Sequence, residues 1–77
     1  MEIKILGSGC INCKKLYANA EDAVKELGIE AKITKVEDFK EITKYGIMRT
    51  PAVVIDEKVK AFGKISTVEE IKKFIQE

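Results

Sequence analysis

At Gly7-Ser8-Gly9 the spacing of the apolar residues changes period, and this change constrains the fold more than any other feature of the chain. Before it, Glu2 to Leu6 alternates, with Ile3 and Ile5 on one face and Lys4 on the other, as a short strand does. After it, Cys13, Leu16, Tyr17, Ala20, Val24 and Leu27 recur at spacings of three and four. That is one apolar stripe on a helix, ended by Gly28. Ile29 to Val36 then returns to alternation and reads as a second strand. Strand, helix and strand in succession imply a parallel pair joined by a right-handed crossover.

The remainder continues in the same grammar. Asp38 reads as an N-cap that forms a capping box with Glu41, and the short helix it opens turns Phe39 and Ile42 inward and stops at Gly46. Thr50-Pro51 leads into Ala52-Val53-Val54-Ile55, an apolar run with the look of a buried strand. Asp56-Glu57 turns it, and Lys58 to Phe62 returns with Val59 and Ala61 on one face. After Gly63, Thr67 caps a last helix with Glu70 at its third position, and Val68, Ile71, Phe74 and Ile75 face inward. The order β-α-β-α-β-β-α defines an α/β protein, and the closing hairpin adds antiparallel strands to the same sheet. Residues 1–77 are expected to form a single domain with a compact mixed sheet under helices. A chain of this length buries only about 60% of the surface its unfolded form exposes, so the stability margin is thin. Tyr17, Tyr45 and the three phenylalanines fall at core spacing and are read as packing.

Charge and hydropathy remove several function classes. Fourteen basic and thirteen acidic residues are interspersed and leave a net charge of +1, which argues against nucleic acid or an anionic membrane recognised through bulk charge. The longest apolar runs are a few residues, too short for a membrane span. MEIKIL alternates where the apolar part of a signal peptide would be continuous. A cytoplasmic monomer is expected.

The chemistry must then come from GSGCINCKKL, which holds both cysteines, Cys10 and Cys13, in a chain without histidine. Two thiols at that spacing form a redox disulfide, hold a soft metal, or fill space. In a reducing cytosol a structural disulfide is unexpected, and one closing so small a loop restricts the unfolded chain little. Cys10 stands where a strand ends and a helix begins, so unpaired amides and the helix dipole favour its thiolate, with help from Lys14 and Lys15. Cys13, a turn further on and within the stripe, is less exposed. The spacing assigns attack to Cys10 and resolution of the mixed disulfide to Cys13. Lowering a thiol pKa from about 8.5 to about 7 raises its thiolate fraction at pH 7 from roughly 3% to roughly 50%. Intrinsic nucleophilicity falls about fivefold at the same time, leaving a net gain of ~3-fold in attack. The larger consequence is thermodynamic, because a stabilised thiolate is a good leaving group and moves the pair's potential by ~30 mV per tenfold in the exchange constant.

Thr50-Pro51 admits two readings. Pro51, the one proline, is either a trans strand-entry breaker or a cis residue that sets the Thr50 backbone beside Cys10, ready to pair with an extended substrate. Gly63, past the last strand, reads as a bend or a close backbone approach near the same place. Two rivals to redox chemistry use the same features. A copper-carrier domain would hold Cu(I) on the two thiolates, with Met48 as a remote soft donor, but such domains run β-α-β-β-α-β and end on a strand. An interaction module would keep the fold and have lost the chemistry.

GSGCINCKKL after the first strand, Thr50-Pro51 before the hairpin, Gly63 after it and the closing amphipathic helix together resemble the thioredoxin/glutaredoxin superfamily, most of all its minimal thioredoxin-like members of archaea and bacteria. The resemblance implies sheet order 2-1-3-4, a cis bond at Pro51, Cys10 as nucleophile and Cys13 as resolving thiol, with Thr50 and Pro51 binding substrate. It implies thiol–disulfide oxidoreductase activity toward protein or small-molecule disulfides, with electrons from a disulfide reductase or a small thiol such as glutathione. No cofactor beyond the Cys10–Cys13 redox disulfide is implied. Ile11-Asn12 replaces the usual residues between the cysteines, Gly9 replaces a common aromatic, and Lys4 stands near where larger thioredoxins keep a buried acid.

Overall fold

The computed structural model describes residues 1–7, 11–47 and 49–76. Its elements are β1 (Glu2–Leu6), α1 (Ile11–Leu27), β2 (Lys32–Val36), α2 (Phe39–Lys44), β3 (Ala52–Ile55), β4 (Lys58–Phe62) and α3 (Val68–Gln76). The strands lie in the order β2-β1-β3-β4, with β1 parallel to β2 and antiparallel to β3, and β3 antiparallel to β4. This is the expected α/β arrangement with sheet order 2-1-3-4. A helix between β2 and β3 and a helix after β4 are incompatible with the copper-carrier order.

Strand alternation sorts the core into two layers. On one face Ile3, Ile5, Val53 and Ile55 meet Leu16, Ala20 and Ala23 of α1 and Ile71 of α3. On the other, Leu6, Ala52 and Val54 meet Ile42 of α2 and Ile47, with Val36, Tyr45 and Val59 at the margin. β1 and β3 are central, which is why all four residues of AVVI are buried. Each fully buried Leu or Ile of this kind contributes about 2–3 kcal/mol by removal from water, and Leu16 of α1 and Ile71 of α3 are two of them in one cluster.

Three details depart from the pattern of the sequence, each for a local reason. β2 starts at Lys32, not Ile29. Gly28, at φ +64, closes α1 with its N–H on Lys25 O (3.1 Å) while Ile29 N–H reaches Val24 O (3.4 Å). This Schellman closure occupies the amide of Ile29 and delays the strand. Phe39, expected inward, is 76% exposed. Asp38 does cap α2, accepting from Lys40 N–H (2.9 Å), but Glu41 turns to Lys44 (3.1 Å) instead of closing a box, and of this six-residue helix only Ile42 is buried. Finally, Val59 and Ala61 lie on opposite faces of the sheet, not one. Val53 pairs with Ala61 and Val54 with Val59, so Lys60 is the extra residue of a β-bulge that resets the alternation.

Candidate functional site

Cys13 is placed by α1. It heads the buried stripe that continues through Leu16, Ala20 and Ala23, and it is 6% exposed. No acidic side chain stands in the first turn of α1, so its N-terminal partial positive charge is not neutralised locally, and Lys14 and Lys15 are exposed there. Cys10, expected as the attacking thiol, lies outside the described residues, as does Met48.

Cys13 and Thr50 come together around Gly7, the first residue beyond β1. The Cys13 Sγ occupies the space a Cβ on Gly7 would take, with Cys13 Cβ at 3.3 Å and Thr50 Cβ at 3.8 Å from the same point. The Gly7 N–H donates to Val36 O (2.9 Å), which fixes this end of β1 against β2. In the sequence Gly7 marks only the change of period after β1; its place one residue past a central strand and six before Cys13 is the signal for the seat.

The Thr50-Pro51 bond is cis. Thr50 is exposed and Pro51 is buried. Gly63, at φ +72, donates its N–H to Pro51 O (2.9 Å) and lies under the Arg49 stem, where an added Cβ would meet Arg49 Cβ at 3.1 Å. Gly63 therefore serves a close backbone approach beside Pro51, and bulk there is opposed by both φ and Arg49. At this end of the sheet, large apolar side chains face water. Ile11 opens α1 at 70% exposure, Phe62 pairs with Ala52 at 56%, and Phe39 follows the end of β2. Core spacing had suggested packing for both phenylalanines; Tyr17, Tyr45 and Phe74 are the aromatics packed against the core.

Lys4 is committed elsewhere. Its Nζ donates to Tyr45 Oη (2.8 Å) and Glu57 Oε1 (2.7 Å), beside a depression of about 470 Å³ lined also by Glu41, Lys44 and Val59. The Asp56 N–H to Glu2 O bond (2.9 Å) places the β3–β4 turn at the start of β1, so this cluster lies at the opposite end of the sheet from Gly7. Hydrogen bonding from Glu57, then Tyr45, raises the Lys4 pKa above its ordinary value, and the Lys4 bond lowers that of Glu57. Lys4 is thus a cation tied to the β3–β4 turn.

A thiol at the head of a helix over the end of a central strand, with a cis-proline strand beside it, defines a thioredoxin-fold site. Residues 1–76 match the thioredoxin domain family. The chain is 41% identical over 75 residues to a thioredoxin of Methanothermobacter thermautotrophicus, covering 97% of each, and 47% identical over 70 residues to a thioredoxin of Methanocaldococcus jannaschii, covering 91% of this chain and 80% of that one. The chain belongs to the thioredoxin domain family, and with that membership goes a thioredoxin-like redox function. No helix among the described residues is long and apolar enough to cross a membrane.

Proposed function

We propose that the chain is a cytoplasmic thiol–disulfide oxidoreductase acting through Cys10 and Cys13. Cys10, directly before the first residue of α1, attacks a target disulfide as the thiolate and releases the first target thiol. Cys13 then attacks the Cys10 sulfur, closes the Cys10–Cys13 disulfide and releases the second. Two electrons pass from the dithiol to the target, and the two thiol protons end on the released sulfurs. The Thr50 backbone pairs with the extended target and Pro51 shapes the groove, while exposed Ile11 and Phe62 offer apolar contact to a protein partner. A disulfide reductase or small thiol restores the dithiol.

The observation that carries this reading is the seating of Cys13 against Gly7 beside Thr50: a thiol one turn inside a helix, nearly closed to solvent, next to an exposed strand entry. A resolving thiol should have that protection, since it must wait for its neighbour and not react with solution disulfides. The test is reduction of insulin by dithiothreitol. The wild type accelerates precipitation, Cys10→Ser and Cys13→Ser abolish the acceleration, and Cys13→Ser accumulates a mixed disulfide on Cys10. A wild type no faster than dithiothreitol alone overturns the proposal.

A further inference from the structure

We infer that Gly7 is a positioning residue for the resolving thiol: its missing side chain is the seat of Cys13 Sγ, and this vacancy sets how readily Cys13 reaches its partner sulfur. The inference rests on the exchange reading above and adds a residue to it.

The usual reason for glycine does not apply. Gly28, Gly46 and Gly63 all adopt positive φ, whereas Gly7 does not, so an L-residue would be permitted there by its backbone. Open space is not the reason either, since a Cβ on Gly7 would overlap Cys13 Sγ. The surroundings cannot recede to make room. Leu6 is paired on both sides, with Val36 and Ala52, and the Gly7 amide is itself bonded to Val36 O. α1 is held to the sheet by Leu16, Ala20 and Ala23 against Ile3 and Ile5. With strand and helix both fixed, a methyl at position 7 leaves Cys13 to rotate about χ1, and a helical residue has essentially one other good rotamer. The sulfur then moves by more than about 1 Å, a displacement that costs on the order of 100-fold in a reaction dependent on attack geometry. Thr50 Cβ lies 3.8 Å from the same point, in ordinary contact with an added methyl.

The consequence is specific to one half-reaction. Attack by Cys10 on an incoming disulfide makes a Cys10–target bond without Cys13. Resolution breaks that bond as Cys13 forms the Cys10–Cys13 disulfide, expelling the target thiolate. Gly7→Ala therefore slows the second step and spares the first. With 5,5′-dithiobis(2-nitrobenzoate) as probe, the reduced wild type releases two thionitrobenzoate equivalents, one at each step. In Gly7→Ala the first release keeps its rate within about twofold, while the second slows at least tenfold. Equal slowing of both phases, or an unchanged second phase, overturns the inference. A stability cycle separates the steric claim from the chemistry. Urea unfolding of Gly7→Ala, Cys13→Ala and the double variant should show a penalty for the alanine at 7 that largely disappears once the sulfur is gone. If Gly7→Ala does not fold, the double variant should; equal penalties in both backgrounds, or a double variant equally unfolded, overturn the seat. Release of one equivalent by the wild type would instead defeat the exchange reading, leaving the cycle to decide whether the sulfur seat exists.

Discussion

Lys4 shows how one residue's partners determine what it does. A lysine on a central strand beside Leu6 is an awkward occupant of a core face, yet its stem lies along the layer and its Nζ reaches Tyr45 and Glu57 at the rim. Glu57 holds positive φ (69), uncommon for a non-glycine residue, and its carboxylate meets both Lys4 and the Tyr45 hydroxyl (3.2 Å). The three side chains thus tie α2 to the β3–β4 turn. Because the Lys4 hydrogen bond depresses the Glu57 pKa, the Glu57 contribution is complete above the unfolded value of about 4.3 and fades as pH falls through the lower folded value. For Lys4 the sign is opposite: its raised pKa gives a contribution complete below about 10.4 and lost only at higher pH. The urea midpoint of Lys4→Met should accordingly fall further below wild type at pH 7 than at pH 3. An equal difference at the two pH values would mean the pair does not hold the turn.

At the scale of elements, α3 was legible down to its cap. Thr67 N–H donates to Glu70 Oε1 (3.0 Å) and Glu70 N–H to Thr67 Oγ1 (3.1 Å), the reciprocal pair that the Thr-x-x-Glu spacing signalled. Thr67→Ala should lower unfolding stability by about 1 kcal/mol and Thr67→Ser should retain most of it; an unchanged midpoint for the alanine variant would show that the cap is redundant. Asp38 carried an equally good signal for α2, but a helix of six residues is decided by what it can bury. With Ile42 as its buried position, Phe39 is left outside and Glu41 takes an ion pair instead of a box. β4 failed differently. Period-two reading assumes an unbroken ladder, and a bulge at Lys60 switches Ala61 to the face opposite Val59 without any glycine or proline to announce it.

For the whole molecule, the period changes along the chain were enough to order seven elements, because strands and helices that each present one apolar face have few ways to share a core. What periodicity cannot express is proximity between distant residues. Cys13 and Thr50 are 37 positions apart and meet because β1, paired to β3 on one side and covered by α1 on the other, brings the start of a helix and the entry of an antiparallel strand to the same point past Leu6. The Gly7 seat is nearer in sequence, six residues before Cys13, but period alone does not say which side chain fills the space beside a glycine. The proposed exchange requires the two thiols to be unequal: Cys13 is sheltered a turn inside α1, and Cys10 has to attack as the thiolate. The most direct measurement is the pH dependence of iodoacetamide alkylation of the reduced protein, with each cysteine followed separately by peptide mass spectrometry. Cys10 should react first, with an apparent pKa well below the ~8.5 of an ordinary cysteine, and Cys13 at least tenfold more slowly at pH 7. Two thiols alkylating at the same rate, both titrating near 8.5, would contradict it.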